Sequence, residues 1–239
     1  VASGSVEAID AGLRAHMIRV YNYMLIGLVL TGIAAFGTYN LAFQDVGGVL
    51  QPTALGQALF GSPLMYVVIF APLALVFFLS FRIGKMSVGA AQLTFWVYAA
   101  LLGVSLASIF VVYAASSITQ VFFITAATFG AMSLYGYTTQ PDLTSMGSFL
   151  FMGLIGIIIA SIVNIFIGSS ALGFAISVVG VLVFTGLTAW DTQKIKEMYA
   201  VNDDGTVAGR KALLRALALY LDFVNLFLML LRLFGNSRN

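Results

Sequence analysis

The chain has 239 residues, of which 61% are hydrophobic and 8% charged, with a net charge of +2. Soluble domains carry roughly a quarter charged residues, so this composition describes a polytopic membrane protein with length for about seven spans of about 20 residues and no room for a sizeable soluble domain. The absence of cysteine excludes disulfides, thiolate metal sites and cysteine catalysis; the single histidine, His16, excludes a histidine-based metal centre or a Ser-His-Asp triad.

Residues 1–19 are polar and mixed, with Glu7, Asp10, Arg14, His16 and Arg19, and read as a cytoplasmic N-terminal segment. The first apolar run, about Val20 to Leu41, reads as a full span and not as a cleavable leader. A loop from Asn40 to Ser62 carries Asp45, Gly47-Gly48 and Pro52, with a short interfacial helix expected over Leu55 to Phe60. Span two runs about Pro63 to Phe81 with a kink expected at Pro72, and Arg82 and Lys85 follow at once. Span three runs about Val88 to Tyr113 and span four about Gln120 to Tyr137. Pro141 marks a turn, and Asp142 precedes span five, about Thr144 to Ile167, as its expected N-cap. Span six, about Leu172 to Trp190, continues as a charged helix to Tyr199. Span seven runs about Ala212 to Phe234. The seven-helix region thus covers 20–235, and 236–239 form a short tail.

Lys and Arg near span ends set orientation. Arg14, Arg19, Arg82, Lys85, Lys194, Lys196, Arg210, Lys211 and Arg215 fall on one side, against Arg232 and Arg238 on the other. The N-terminus is therefore expected in the cytoplasm. None of these forms a run that tracks nucleic acid. Small residues four apart, Ala126 with Gly130, Gly156 with Ala160 and Gly173 with Ser177, are expected to mark close helix approach.

Two acids stand apart from the loops. Asp191 ends the apolar part of span six, in Leu187-Thr-Ala-Trp-Asp-Thr-Gln-Lys194. Its plainest reading is an interfacial helix residue bonded to Thr188 or Lys194. Asp222 lies ten residues inside the last apolar run. An acid there is either held protonated with a packing role or is functional, since membrane helices rarely carry one without use. The two spans are consecutive and antiparallel, so a pair is geometrically allowed. Two such carboxylates cannot both ionise cheaply, and one proton would be shared. Protonation would favour a closed pair. Double ionisation would part the helices and expose an oxygen-lined path for cations, to which Asn225, one turn from Asp222, could add a carbonyl oxygen. Calcium takes about six to eight oxygens, so Asp191 and Asp222 would hold it only weakly and transiently, as conduction requires. Arg82 reads either as a counter-ion for one state or as an interfacial anchor.

Ala189-Trp-Asp-Thr-Gln-Lys-Ile-Lys196, followed by Ala218-Leu-Tyr-Leu-Asp-Phe-Val-Asn-Leu-Phe-Leu-Met-Leu-Leu-Arg-Leu-Phe-Gly235, closely resembles the signature of the Bax inhibitor (transmembrane Bax-inhibitor-motif) family. Phe78-Leu-Ser-Phe-Arg82 with Lys85-Met-Ser87 and Gly136-Tyr-Thr-Thr-Gln-Pro-Asp-Leu143 support it, and the likeness is closest to bacterial members. The resemblance implies an all-α membrane fold of seven helices with the last central and wrapped by the other six. It implies no enzyme but a pH-sensitive calcium leak, with no tightly bound cofactor and with calcium ions and protons as its partners in the bilayer. A di-aspartyl sensor in bacterial members matches Asp191 and Asp222, and a latch arginine matches Arg82. Some relatives carry an acid in span two; Pro63 to Phe81 has none. A bacterial inner membrane is the implied location. Another bacterial branch binds and modulates a membrane-anchored AAA protease, which is the alternative function. An intramembrane aspartyl protease would need a Gly-x-Gly-Asp pattern, absent at both acids, and a retinal protein would need a lysine within a span.

Overall fold

In the computed structural model, residues 2–238 are described, with side chains from residue 10 onward. The chain is helical almost throughout. It runs α1 (Ala2–Ala42), β1 (Phe43–Val46), β2 (Val49–Pro52), α2 (Ala54–Phe60), α3 (Leu64–Arg82), a 3₁₀ turn, α4 (Val88–Leu106), α5 (Ile109–Val112), α6 (Ala115–Thr138), α7 (Thr144–Ile167), α8 (Ser170–Met198) and α9 (Gly205–Phe234). Among the described residues, seven stretches are long and apolar enough to cross a membrane, in keeping with the composition. They are not equally enclosed: 61% of the most apolar window of α9 is buried, against 6% for α7. Apolar side chains on α7 gain nothing by leaving hydrocarbon, so such a helix is free to face lipid.

The chain divides into two compact units, and α9 contributes to both. The first holds α1 to α5, Ala200–Leu217 and Arg238. Here α1 packs on α4 and α3 on α4. Gly103 brings the α4 backbone against the Thr31 carbonyl, and the Thr31 hydroxyl donates to Ala99 O at 2.8 Å. A side chain at Gly103 would hold the two backbones apart, which is the use of glycine at such a crossing. Ser87 caps α4 by accepting the Ala90 N–H, and Arg210 Nε donates to Met86 O just before it.

Several boundaries differ from the sequence reading. α1 passes through Arg19 and Val20 without a break, so the change there is one of composition and not of backbone. The loop after span one contains a β-hairpin. Its Gly47 and Gly48 adopt positive φ of 67° and 85°, the pair of angles that a two-residue hairpin turn needs, and Asp45 Oδ1 accepts the Gly48 N–H. The short helix that follows begins at Ala54, capped by Thr53. Span three is interrupted near Ala107–Ser108, where Ala107 N–H bonds back three residues to Val104 O and the Ser108 hydroxyl bonds to Ser105 O; such local bonds compete with the regular ladder. α3 continues through Pro72.

The second unit holds α6, α7, α8 and Ala218–Ser237. α6 and α7 both pack on α8. α6 begins at Ala115, five residues before the expected Gln120, because the chain's end reaches back to support it. Asn236 N–H donates to Ser117 Oγ at 2.9 Å, and Asn236 O accepts the Ala114 N–H. α7 has the expected bounds and ends on Gly168 in the left-handed region, at φ 66°. Ser169 then caps α8 by accepting the Leu172 N–H. From α6, Phe122 and Phe129 set their edges on Phe223 of α9, at 5.6 and 5.4 Å between centroids.

The glycines of the small-residue pairs expected to mark close approach have room for a side chain. A methyl group at Gly130 or Gly156 would meet nothing within 4 Å, and one at Gly173 only the Asn164 amide at 3.4 Å. Gly156 and Ala160 instead line an apolar groove between α7 and α8. The close contacts fall on Gly136 against the Ala189 backbone and Gly147 against the Trp190 ring. Spacing shows which residues share a helix face, not which face meets a neighbour.

Candidate functional site

The polar run at the end of α8 is tied down on two sides. Towards α6, the Ala189 backbone lies against Gly136, and Thr192 shares a hydrogen bond with Ser133 at 3.0 Å. One turn on, Lys196 Nζ donates to the Tyr137 carbonyl. Towards the α6–α7 connection, Gln193 Oε1 accepts the Leu143 N–H at 2.8 Å and Gln193 Nε2 donates to Pro141 O at 2.9 Å. Trp190 lies on Gly147, with Lys194 over its ring at 3.8 Å from the centroid, a distance at which a cation is drawn to the π face. The hydroxyls of Thr188 and Thr192 bond to carbonyls one turn back, which lets them sit fully buried without an unsatisfied donor.

Asp191 projects from this anchored turn and is half-buried. Asp222 lies on α9 and is 5% exposed, in a stretch of the helix where Leu219, Tyr220 and Leu226 are also buried. Both acids are engaged in polar or electrostatic interactions with the rest of the chain. Asn225 donates its amide nitrogen to Leu221 O at 2.8 Å, which leaves the amide oxygen as the group it can present. Asp191, Asp222 and Asn225 all belong to the second unit, whereas Arg82 falls in the first, exposed in the last turn of α3. Among the described residues, no group of three or more His, Cys, Asp or Glu is placed to hold a metal ion. The side chains that Asp191, Asp222 and Asn225 supply are two carboxylates and an amide.

Sequence reasoning passed over Gln193, Ser133, Gly136 and Gly147. A signal for the first was present in Ala189-Trp-Asp-Thr-Gln-Lys194, where uncharged polar groups flank an acid at the end of an apolar span. A buried amide needs partners, and the turn at Pro141 supplies them.

Asp142 does not cap α7 from the N-cap position, which Leu143 occupies, but it stabilises the same turn. The Thr144 side chain and then its backbone N–H, the latter at 2.8 Å, bond to the Asp142 carboxyl and hold it below the usual carboxylate range. A group depressed in the folded state contributes stability that is complete above its unfolded value, about 4, and is lost as pH falls through the folded value. Thermal midpoints in detergent are therefore expected to be lower for Asp142→Ala than for wild type at neutral pH. The difference should shrink as the pH falls below the carboxylate range.

The family model described as "Inhibitor of apoptosis-promoting Bax1" matches residues 13–239. The chain is 47% identical to the inner membrane protein YbhL of Escherichia coli K12 over 239 residues, covering 99% of this chain and 97% of that protein. It is 48% identical to a Rickettsia prowazekii protein over 235 residues, 98% of this chain and 94% of that one. A membrane protein of Streptococcus pyogenes is 35% identical over 228 residues, 95% of each chain.

Proposed function

The chain belongs to the Bax inhibitor family, and from that premise we propose that it is a pH-sensitive calcium leak of a bacterial inner membrane, gated by Asp191 and Asp222. The observation that carries this reading is the position of Asp222: a carboxyl group 5% exposed on the most buried of seven membrane-length helices. An acid retained at such a place is costly unless it is used. With one shared proton the gate stays closed; when both acids are ionised, mutual repulsion opens it and the oxygens, with that of Asn225, guide a weakly held cation. Arg82 is the counter-ion of one state. The protein is not a catalyst in this reading, and calcium is its cargo and not a resident cofactor. The basic loops keep the N-terminus in the cytoplasm.

Purified protein in liposomes is expected to pass calcium faster at about pH 8 than at about pH 6, because ionisation opens the gate. Asp191→Asn and Asp222→Asn are each expected to reduce that ratio. Equal ratios for wild type and both variants would refute the sensor.

A further inference from the structure

The anchoring of α8 has a directional consequence. Gln193 is 5% exposed and uses both ends of its amide on the α6–α7 connection. Its partners are specific. Leu143 is the residue from which α7 starts, and its N–H is one of the donors that a helix start leaves without an intrahelical acceptor. Pro141 has no N–H of its own and offers only a carbonyl. A single side chain that both accepts and donates satisfies the two, and an amide does this with separate atoms. Asparagine carries the same amide on a stem one methylene shorter.

Gln193 lies two positions beyond Asp191, about 200° around the helix at 3.6 residues per turn. The clamp therefore grips the face of α8 opposite the one from which Asp191 projects. Any roll of α8 about its axis would swing Asp191 sideways, and the Gln193 clamp resists that roll. Thr192 with Ser133 and Ala189 with Gly136 resist it on the α6 side. Loss of the Gln193 amide would leave the Leu143 N–H and the Pro141 carbonyl without their partner on α8, and α8 free to turn against α7.

We propose that Gln193 is the positioning residue for Asp191: by locking α8 to the α6–α7 connection it fixes the setting at which the Asp191 carboxyl titrates and gates. This rests on the proposed role of Asp191 in a pH-dependent leak. The charged and titratable groups on the elements around it in this unit are Lys194, Lys196 and Glu197 on α8 itself, Tyr199 just after it, Tyr135 and Tyr137 on α6, Asp142 on the connection, and Tyr220, Asp222 and Arg232 on α9; α7 has none. Gln193 is uncharged, so replacing it with another uncharged residue changes geometry without adding a charge to this set.

The test compares full-length wild type, Gln193→Met and Gln193→Asn in liposomes, reading calcium efflux against pH, and repeats Gln193→Met in the Asp191→Asn background. Hydrogen–deuterium exchange over residues 139–147 reports the clamp itself. Gln193→Met keeps the side-chain length and removes both hydrogen bonds. It is expected to raise exchange at 139–147 and to move the efflux midpoint by about half a pH unit or more, and the move should vanish in the Asp191→Asn background. Gln193→Asn, which keeps a polar amide in the turn, carries the same comparison if the methionine variant does not assemble. Raised exchange with an unmoved midpoint would overturn the positioning role while leaving the leak intact. A midpoint that moves equally with and without Asp191 would also overturn it, since the effect would then be general loosening. Wild-type efflux that does not vary with pH would refute the leak reading and the positioning role together.

Discussion

Gly136→Ala is expected to destabilise the protein by about 1–3 kcal/mol, the usual penalty for forcing an extra carbon into a packed interior. The added methyl would meet the carbonyl oxygen, the carbonyl carbon and the Cα of Ala189. All three are backbone atoms, which have no rotamer to give, so α6 and α8 must separate locally. That would also stretch the Ser133–Thr192 hydrogen bond one turn away. Gly147→Ala is expected to act similarly through a different neighbour. Its methyl would enter the Trp190 ring, a bulky group held under Lys194, and displacing it parts α7 from α8. Gly130→Ala and Gly156→Ala are the controls, since their methyl groups enter open space. In a helix interior alanine is favoured over glycine by roughly 0.5–1 kcal/mol, so these two should be neutral or slightly stabilising. Thermal midpoints of the four variants in one detergent decide the matter. If Gly136→Ala melts with Gly130→Ala, the close contact between α6 and α8 does not exist.

That contrast also shows what sequence alone can yield. Composition and run length determine that the chain crosses a membrane, and α7 has the bounds that its apolar run implies, because Pro141 before it and Gly168 after it both punctuate the backbone strongly. The hairpin at Phe43–Pro52 was harder to see. Its strands are four residues each, too short for alternation to register, and the turn glycines read equally well as loop. The break at Ala107–Ser108 left no mark because the residues on both sides are apolar or small. Asp222 was visible because a charge in an apolar run contradicts its surroundings, and its near-complete burial agrees with that contradiction. Gln193 was hidden for the opposite reason: at the end of a span a polar side chain looks solvated, and only the folded path of the α6–α7 connection brings Pro141 and Leu143 onto it. Pairwise closeness between helices is a property of rotation and depth, which single-sequence spacing does not encode.

Asp222→Asn is expected to abolish the pH dependence of calcium efflux more completely than Asp191→Asn. Asparagine keeps the size of the carboxyl and its capacity to hydrogen-bond, but it has no proton to lose. It therefore imitates the neutral acid at every pH, and efflux should stay low and flat, its ratio between about pH 8 and about pH 6 close to unity. The two acids are not equivalent in their surroundings. Asp222 is 5% exposed on the most buried helix, so a charge formed there must be met by incoming water, by a cation or by helix movement. Asp191 is half-buried at the anchored end of α8, where a charge is partly solvated and calls for less rearrangement. The Asp191→Asn variant should thus retain part of the wild-type ratio, carried by Asp222 alone. Asp222→Ala separates titration from packing: it also removes the proton, but it leaves a void where a 5% exposed side chain stood. It should show the same flat profile together with a lower thermal midpoint, while Asp222→Asn melts close to wild type. Flat profiles in both variants with unequal midpoints would tie the pH response to the titrating carboxyl and not to loss of structure. A wild-type efflux ratio in Asp222→Asn would remove Asp222 from the gate.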